Sequence, residues 1–325
     1  MHAYRVEEAG GDFCQVELPQ PVLRENQVLV RIQASGVNPL DVKIRAGQAG
    51  HAQQPLPAVL GLDMAGIVEE IGRGVIGFQP GDAVYGMVGG VGGQQGTLAE
   101  FVAADADLLA RKPGNLSMRE AAALPLVMIT AWEGLVDRAR VHAGQTVLVH
   151  AGAGGVGHVA VQLALAYEAK VYATVSPEKK AAVENLGATA IDYRSTSTEE
   201  YVAAFTGGEG FDIVYDTLGG ATLDASFIAA KRYTGHVVSS LGWGTHALAP
   251  LSFRGATYSG VFTLYPLLSG VGRAHHGRIL AEAAALAEVG KLRPLLSERR
   301  FHVTETADAY DAVAAGGLGK VVIEH

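Results

Sequence analysis

The spacing of apolar residues changes along the chain and predicts two kinds of structure. In the first 120 residues or so, short apolar runs such as 27–35, 63–72 and 97–103 are separated by Gly and Pro. This pattern is typical of a β-rich domain with irregular connections. From residue 146 onward, apolar runs of strand length alternate with segments at helical spacing. That alternation predicts an α/β domain with a parallel doubly wound sheet.

The second part of the chain predicts a regular order of strands and helices. Strands are expected at 146–150, 170–175, 189–193, 211–216 and 236–241, with a sixth near 258–265. Helices are expected between them at 156–167, 177–186, 198–205 and 221–231. An alanine-rich helix is expected at 277–290, and strands at 301–303 and 319–325. These last strands are expected to return to the first part, where another sheet remains to be completed.

The first part ends where helix-forming residues replace the strand pattern. Ser117 and Glu120 have the spacing of a helix capping box, and the helical segment after them marks the entry to a second domain. We therefore expect one domain from residues 1–122 and 264–325, and another from residues 123–263. The length of 325 residues agrees with two domains, because single cores stop growing at roughly 250–300 residues.

A glycine turn lies between the first predicted strand and the first predicted helix of the second domain. The residues expected to contact a dinucleotide there are Gly152, Gly154, Gly155, Val156 and Gly157. Three of these glycines have the spacing G-x-G-x-x-G, with the apolar run 147–149 before them and a helical pattern after them. In dinucleotide-binding folds such glycines make a tight turn, admit a pyrophosphate and pack helix against strand. The N–H groups of the helix N-terminus then meet the phosphate charge.

The end of the next predicted strand indicates which dinucleotide binds. NAD-binding folds usually place an acid on the ribose 2′-hydroxyl, about 20 residues after the glycines. Here Ser176 follows the strand and suits a helix N-cap, and Glu178 is expected inside the helix, past the strand tip. Lys179, and Tyr193 beside Arg194, can surround a 2′-phosphate with donors, although the lysine can equally belong to a solvated helix face. The sequence therefore favours NADPH over NADH.

The composition limits the possible partners and compartments. With 49% hydrophobic and 18% charged residues, we expect a soluble globular protein. A net charge of −8 gives no basic surface for nucleic acid or anionic lipid. We expect no membrane span and no targeting segment, because no stretch approaches roughly 18 uninterrupted apolar residues and the first residues lack a signal pattern. Cys14 is the single cysteine, which excludes internal disulfides and favours a cytoplasmic location.

Several segments, in the same order, resemble the medium-chain dehydrogenase/reductase superfamily, in particular its zinc-independent quinone oxidoreductases, the zeta-crystallin group. The matching segments are 34–47, 59–72, 81–86, 124–135, 150–157 and 319–323. The resemblance implies a chaperonin-10-like, β-rich catalytic domain formed by the N-terminal part and the C-terminal tail, with a Rossmann domain between them. It also implies a homodimer formed through the edge strand of the Rossmann sheet.

The resemblance also indicates why a metal is not expected. Zinc alcohol dehydrogenases of the same superfamily hold the catalytic metal with a cysteine, a histidine and a second cysteine or acid. This chain has Asn38 where that first cysteine would stand, and Gly61-Leu62-Asp63 in place of Gly-His-Glu. Without a Lewis acid to acidify an alcohol, alcohol oxidation is disfavoured. Hydride transfer from NADPH to an enone or quinone stays feasible, because it needs mainly orientation and hydrogen bonding at the developing oxyanion.

Three residues are candidates for catalysis, each with a plainer alternative. Asn38 matches the family's asparagine near the nicotinamide, but Asn before Pro is also a common turn residue. Lys43 stands where some enone-reducing relatives have a lysine and can stabilise an enolate oxygen, but a surface lysine is as plausible. Thr130 matches a threonine on a helix that faces the nicotinamide in the family, or it bonds its own helix backbone. Asp41 is expected to orient the segment between the first two and to pair with Lys43.

The resemblance assigns four further residues to the nicotinamide half of the cofactor through backbone groups. They are Leu241, Gly242, Val261 and Phe262. Two residues of the family's pattern are missing: the substrate-side tyrosine after the asparagine segment, and the arginine before the C-terminal glycine. Phosphate binding is therefore expected to rest on Lys179, Tyr193 and Lys320.

Three functions stay open on the sequence. The first is an NADPH-dependent, zinc-independent reductase of quinones or α,β-unsaturated carbonyls. The second is a trans-enoyl thioester reductase, which shares the fold and the hydride step but needs a long acyl channel. The third is a non-catalytic, crystallin-like protein that binds NADPH. The expected partner is a small molecule in each enzymatic case, with no role for nucleic acid or membrane.

Overall fold

Residue packing divides the chain into two units, and the computed structural model describes all of residues 1–325. The first unit comprises Met1–Ile129 and Leu264–His325, and the second comprises Thr130–Thr263. The strands are β1 (His2–Val6), β2 (Phe13–Glu17), β3 (Gln27–Val37), β4 (Ala58–Val59), β5 (Asp63–Ile71), β6 (Ala83–Met87), β7 (Phe101–Asp105), β8 (Leu109–Arg111), β9 (Thr146–Val149), β10 (Lys170–Val175), β11 (Thr189–Asp192), β12 (Ile213–Asp216), β13 (His236–Ser239), β14 (Thr257–Gly260), β15 (Phe301–His302) and β16 (Val321–Glu324).

Most of the helices lie in the second half of the chain. They are α1 (Pro39–Arg45), α2 (Met118–Ala122), α3 (Pro125–Trp132), α4 (Gly155–Ala166), α5 (Lys180–Glu184), α6 (Thr198–Thr206), α7 (Ala221–Ala229), α8 (Ala249–Ser252), α9 (Tyr265–Ser269), α10 (Arg273–Glu288) and α11 (Thr306–Ala315). Helix α3 continues into a wider π-helical segment, Glu133–Arg138. None of these helices has the length and apolar character to cross a membrane.

The first unit is β-rich and mainly antiparallel. Seven strands form one sheet in the order β15-β16-β3-β5-β6-β8, with β7 paired to β3, and β2-β1-β4 form a smaller sheet. The long β3 holds this sheet together, because β5, β7 and β16 all pair with it. As the sequence predicts, the C-terminal strands return to the first unit, where Val321 lies opposite Val37. This arrangement agrees with the β-rich, chaperonin-10-like domain that the resemblance implies.

The second unit contains one parallel sheet of six strands in the order β11-β10-β9-β12-β13-β14. Helices α4 to α7 lie between successive strands along the chain. The central strand β12 is buried along its whole length, which is typical of a parallel sheet covered on both faces. The predicted doubly wound parallel sheet is confirmed. Its strand order reverses direction between β9 and β12, and ligands of such sheets bind at that point, beyond the carboxyl ends of the strands.

Two predicted elements differ from the structure in ways that affect the site. The sixth strand ends at Gly260, and the residues from Tyr265 onward form α9 instead of a longer strand. The helix predicted at 177–186 begins with a short 3₁₀ turn, Pro177–Lys179, and only then becomes α5. Since a 3₁₀ turn is tighter than an α-helix, it changes the direction of the side chains at its own positions.

Aromatic rings fill the core of the second unit. Tyr172 lies with its ring centroid 4.9 Å from that of Phe205 and 5.4 Å from that of Phe211. In the first unit, the buried Tyr85 donates a 2.5 Å hydrogen bond to the Leu280 carbonyl of α10. This bond ties α10 to β6, although 195 positions separate the two partners.

A buried charged cluster joins four segments of the first unit. The Lys320 ammonium, just before β16, donates to the Asn38 Oδ1 atom and to the Val37 carbonyl at 3.2 Å. The Asn38 Nδ2 atom donates to the Asp63 Oδ2 atom at 2.9 Å. The Asn38 backbone N–H donates to the Asp41 Oδ2 atom at 2.8 Å, which fixes the start of α1. All four of these side chains are buried.

Burial of two carboxyl groups with one ammonium shifts all three pKa values. Desolvation raises the pKa of Asp41 to about 7, and the Asn38 hydrogen bond and the Lys320 charge oppose that rise. Desolvation likewise raises the pKa of Asp63 to about 6, against the Lys320 charge and the hydrogen bonds from Asn38 and Leu126. Burial lowers the pKa of Lys320, and the two carboxylates oppose that change. The Asp41 Oδ1 atom has no hydrogen-bond partner, so Asp41 is the carboxyl group that most readily keeps a proton.

We expect Asp41→Asn to reduce the loss of stability that the cluster causes as the pH rises. The pKa of folded Asp41, about 7, lies above the ordinary aspartate value of 3.8, so the folded chain binds more protons in this interval. The stability contributed by Asp41 is therefore full below pH 4 and is lost as the pH rises toward 7, by up to about 1.4 kcal/mol per pH unit. Thermal unfolding of both proteins between pH 5 and 8 should show a flatter decline for the variant.

Asp12→Asn is the matched control, because the Asp12 side chain is fully exposed. We expect its midpoints to follow those of the unmodified protein at every pH. If the unfolding midpoint of Asp41→Asn fell with pH as steeply as that of the control, the raised pKa of buried Asp41 would be contradicted.

Candidate cofactor-binding and catalytic sites

The glycine turn of the second unit connects β9 to α4, and two of its glycines are required by packing. A Cβ atom at Gly152 would lie 2.5 Å from the Ala173 Cβ atom of β10. A Cβ atom at Gly157 would collide with the Ala151 carbonyl oxygen. At Gly154, the residue before α4, a Cβ atom would meet nothing nearer than 3.1 Å. Of these three glycines, Gly154 is thus the one with the most room beside the helix N-terminus.

The N-terminus of α4 fits an anionic group. Gly155, Val156 and Gly157 are its first three residues, and N–H groups at these positions have no acceptor within the helix. The partial positive charge of the helix end adds to the attraction for phosphate. The sharp bend before the helix is made by Ala151, with φ of 54°, a left-handed conformation that the glycine pattern does not reveal. Its N–H donates to the Thr174 Oγ1 atom at 3.2 Å.

Polar residues follow the carboxyl ends of the central strands and hold the loops there. Asp216, the last residue of β12, accepts hydrogen bonds from Gly219 N–H at 3.0 Å and from the Ser239 hydroxyl at 2.6 Å. The Ser239 oxygen in turn accepts from the Leu241 N–H at 3.1 Å. Asp216 is fully buried and was not among the candidates from the sequence. The available signal was an acid directly at the carboxyl end of a buried strand.

His150 lies beside this row, at the end of β9. Its Nδ1 atom is 3.1 Å from the Thr174 Oγ1 atom, and its carbonyl accepts from the Thr217 hydroxyl at 2.8 Å. Burial lowers the pKa of His150 to about 4, against the nearby Asp216 charge, so the ring is neutral at physiological pH. These contacts assign His150 to the support of the turn.

The four residues expected at the nicotinamide follow β13 and β14. Leu241 and Phe262 are partly exposed, at 36% and 40%. Gly242 packs so closely against the Tyr258 hydroxyl that a Cβ atom would collide with it. The Val261 N–H donates to the Ser239 carbonyl at 2.9 Å, which extends the sheet by one bond. All four thus lie in one unit beyond the carboxyl ends of adjacent strands, and their cofactor contacts stay a prediction.

The residues expected at the 2′-phosphate meet at the ends of β10 and β11. Ser176 follows β10, and the Tyr193 N–H donates to the Val175 carbonyl at 3.4 Å, so the two strand ends lie side by side. Lys179 closes the 3₁₀ turn after Ser176. Tyr193 is 56% exposed and available for a ligand. The structure therefore brings Ser176, Lys179 and Tyr193 to one edge of the sheet.

The catalytic candidates differ in their exposure. Thr130 is buried, and its hydroxyl lies 2.9 Å from that of Thr263, while its carbonyl accepts from the Tyr215 hydroxyl at 2.7 Å. Both ends of the buried Asn38 amide are engaged in the charged cluster. Lys43 is exposed on α1, and its charge helps to lower the pKa of His51, after desolvation. Asp41 is turned into the cluster, where it orients the start of α1. The pair expected between Asp41 and Lys43 does not form, because Asp41 is buried toward Lys320 while Lys43 is exposed.

Lys320 does not lie at the sheet edge where the phosphate residues meet. It belongs to the first unit, where it is only 5% exposed and bonded to Asn38 and Val37. Its ammonium is thus already matched by acceptors and by the Asp63 charge. Across the chain, no group of three or more His, Cys, Asp or Glu side chains is placed to hold a metal ion.

Two protein families match the two units. Residues 24–114 match the alcohol dehydrogenase GroES-like domain, and residues 155–266 match the family described as zinc-binding dehydrogenase. The chain is 36% identical to the 2-methylene-furan-3-one reductase of Solanum lycopersicum, over 93% of this chain and 73% of that protein. It is 35% identical to the chloroplastic NADPH-dependent alkenal/one oxidoreductase of Arabidopsis thaliana, over 99% of this chain and 79% of that protein.

A solved structure agrees with these matches. The crystal structure of an alcohol dehydrogenase superfamily protein from Novosphingobium aromaticivorans is 58% identical in sequence and superposes with a TM-score of 0.98, covering 100% of this chain and 99% of that one. The matched families, the full-length relatives and the two-unit architecture together show that the chain belongs to the medium-chain dehydrogenase/reductase superfamily of oxidoreductases.

Proposed function

We propose that this protein is an NADPH-dependent, zinc-independent reductase that transfers hydride to α,β-unsaturated carbonyls or quinones. The observation that carries the proposal is the carboxyl edge of the parallel sheet, where the glycine turn, the N-terminus of α4 and the donors after β10 and β11 lie in one unit. The acceptor class is supported by relatives whose names specify an alkenal/one and a furanone as substrates.

The preference for NADPH rests on the tip of β10. Ser176 stands where an NAD-specific fold places the acid that binds the ribose 2′-hydroxyl. We assign contacts with the 2′-phosphate to Ser176, Lys179 and Tyr193. Lys320 is left out of this assignment, because its ammonium is buried in the other unit.

The chemistry needs orientation and charge stabilisation more than a metal. NADPH supplies the hydride when bound. Reduction of a conjugated acceptor moves negative charge onto the carbonyl oxygen, and a positive group near that oxygen lowers the barrier. We assign this role to Lys43, the exposed cation among the three candidates. Asn38 and Thr130 are buried and hydrogen-bonded, and we propose that they position the segments on which they lie.

Zinc independence is supported by the side chains at the expected metal positions. Asn38 and Leu62 replace a cysteine and a histidine, and the Lys320 ammonium bonds to Asn38 directly. A divalent cation beside a buried ammonium would meet strong repulsion. We therefore expect alcohols to be poor substrates.

The acceptor class can be tested by NADPH consumption with 9,10-phenanthrenequinone, a small enone and a crotonyl thioester in parallel. We expect turnover of the enone and the quinone, with kcat/KM for the thioester at least about tenfold lower, a difference of roughly 1.4 kcal/mol in transition-state binding. A preference for the thioester would replace this proposal by an enoyl thioester reductase. Cofactor binding without turnover of any acceptor would indicate the non-catalytic, crystallin-like role.

We expect Ser176→Asp to shift the cofactor preference toward NADH. A carboxylate at this position repels the 2′-phosphate and accepts from a ribose 2′-hydroxyl, so the ratio of kcat/KM for NADPH to that for NADH should fall about tenfold or more. Ser197→Asp is the control, since Ser197 is the exposed N-cap of α6 and Asp is equally suited to that position. An unchanged ratio in Ser176→Asp would contradict the assignment.

We also propose a homodimer that pairs two copies of β14, and a cytoplasmic location, with which the free, exposed Cys14 is compatible. Strand β14 is one edge of the sheet; three of its four residues are exposed and the fourth is partly so. Tyr233 and Phe253 lie in the segments that precede β13 and β14, and both are 87% accessible. The Tyr233 N–H donates to the Arg254 carbonyl at 2.6 Å, which joins these two segments. An edge of this kind readily pairs with another strand.

We expect Tyr258→Pro to abolish this dimer. Thr257 and Val261 donate their N–H groups toward β13, to Gly235 and Ser239, so the alternate N–H of Tyr258 points to the free side of the edge. Proline removes that donor. Light scattering should give a dimer mass for the unmodified protein and for Tyr258→Phe, and a monomer mass for Tyr258→Pro. A dimer that persists in the proline variant would show that another surface forms it.

A further inference from the structure

An acidic side chain occupies hydrogen-bond donors at the sheet edge where we propose that the 2′-phosphate binds. The Glu178 carboxylate accepts from the Arg194 Nη1 atom at 2.6 Å, and also from the Ser176 hydroxyl and its own backbone N–H. Glu178 lies in the 3₁₀ turn after β10, and Arg194 lies two residues past the end of β11. A guanidinium, a hydroxyl and a backbone N–H around one carboxylate are the kinds of donors that also bind phosphate.

Of the surrounding charges, Asp192 interacts electrostatically with both Glu178 and Arg194 without a hydrogen bond to the side chain of either. Asp192 accepts from the Arg194 backbone N–H at 2.9 Å and from the Ser195 hydroxyl at 2.7 Å, so its carboxylate is engaged in its own turn. Lys180 lies 3.6 Å from Glu184, one helical turn along α5. The Arg194 guanidinium lies over the Tyr193 ring, 5.9 Å from its centroid. Arg194 is thus held beside a predicted phosphate contact, with Glu178 as its acidic partner.

We propose that Glu178 is a specificity-determining residue that acts as an internal substitute for the 2′-phosphate and is displaced from Arg194 and Ser176 when NADPH binds. The proposal rests on the proposed function, because it concerns the same cofactor edge. It adds Arg194 to the phosphate contacts assigned there, and it adds Glu178 as the group that competes with the phosphate for them. Glu178 lowers the affinity for NADPH, because the incoming phosphate must replace an existing charge-assisted bond. NADH brings no such competitor and leaves the pair intact.

The exposure of the pair makes this exchange feasible. The Glu178 and Arg194 side chains are 64% and 54% accessible, so both can rotate without disturbing the core. An ion pair at such a surface contributes little to stability, typically below about 1 kcal/mol, and a dianion can displace it. The hydrogen bonds from Ser176 and Arg194 hold the pKa of Glu178 down at about 2, so the competing charge is present throughout the neutral range.

The test is a set of dissociation constants for NADPH and NADH, measured by fluorescence titration, which does not depend on any acceptor. We expect Glu178→Gln to bind NADPH about fivefold more tightly and NADH with little change. Glu184→Gln is the matched control, because it removes the same charge from the same segment but from a residue paired with Lys180. We expect Arg194→Met to weaken NADPH binding and to abolish the gain from Glu178→Gln in the double variant.

The outcomes separate this inference from the cofactor assignment. Suppose that the unmodified protein prefers NADPH and that Glu178→Gln binds it no better than Glu184→Gln does. The proposal that Glu178 competes with the 2′-phosphate is then wrong, and the assignment of NADPH as the cofactor is unaffected. If the unmodified protein prefers NADH and Glu178→Gln loses NADH affinity, Glu178 binds the ribose and both proposals are overturned. If it prefers NADH and Glu178→Gln gains NADPH affinity, the competition holds and only the assigned preference fails.

Discussion

The buried ammonium of Lys320 is the constraint on which the first unit depends. A charge removed from water is tolerated only if its partners are close and fully hydrogen-bonded. Those partners come from two distant segments: the junction of β3 and α1, with Val37 and Asn38, and, through Asn38, the start of β5 with Asp63. The ammonium and the Asn38 Oδ1 atom are 282 positions apart in the chain. The cluster therefore requires that the C-terminal strand return to β3, and it fixes the orientation of α1, on which Lys43 lies.

The second unit differs in that it presents hydrogen-bond donors at one edge of its sheet. Its parallel strands end at one edge, and the polar groups there either hydrogen-bond to the adjoining loops or are available to a ligand. Asp216 and Ser239 use their hydrogen-bonding groups within the protein, because together they fix the loops that lead to Gly219 and Leu241. The N-terminus of α4 has donors without intrahelical acceptors, and its approach is shaped by glycines that a side chain would obstruct. The hydrogen-bonded loops held by Asp216 and Ser239 thus support the sheet edge at which the free donors of α4 lie.

Local sequence patterns predicted much of this fold, but they did not predict contacts between residues far apart in the chain. Alternating apolar runs located the six parallel strands, and the spacing from Gly152 to Gly157 located the turn, because both depend on neighbours in sequence. Lys320 shows the limit. A lysine before a short apolar strand carries no sign of burial, and its partner Asn38 was identified only through a motif. The sequence placed Glu178 inside a helix and past the strand tip. The 3₁₀ turn that begins at Pro177 instead directs its carboxylate back to Ser176 and Arg194.

The two units thus hold cations in opposite ways, and the difference bears on specificity. The partners of Lys320 cannot be exchanged for other groups, since removal of one would leave an unpaired charge in the interior. Arg194 has one acidic partner, which can rotate into water at little cost. Only the second arrangement can exchange one anion for another, so a site that must accept a phosphate in one complex and remain neutral without it is best built at the surface. On this argument, the affinity for the 2′-phosphate depends on the exchange at Glu178 as well as on the number of positive charges nearby.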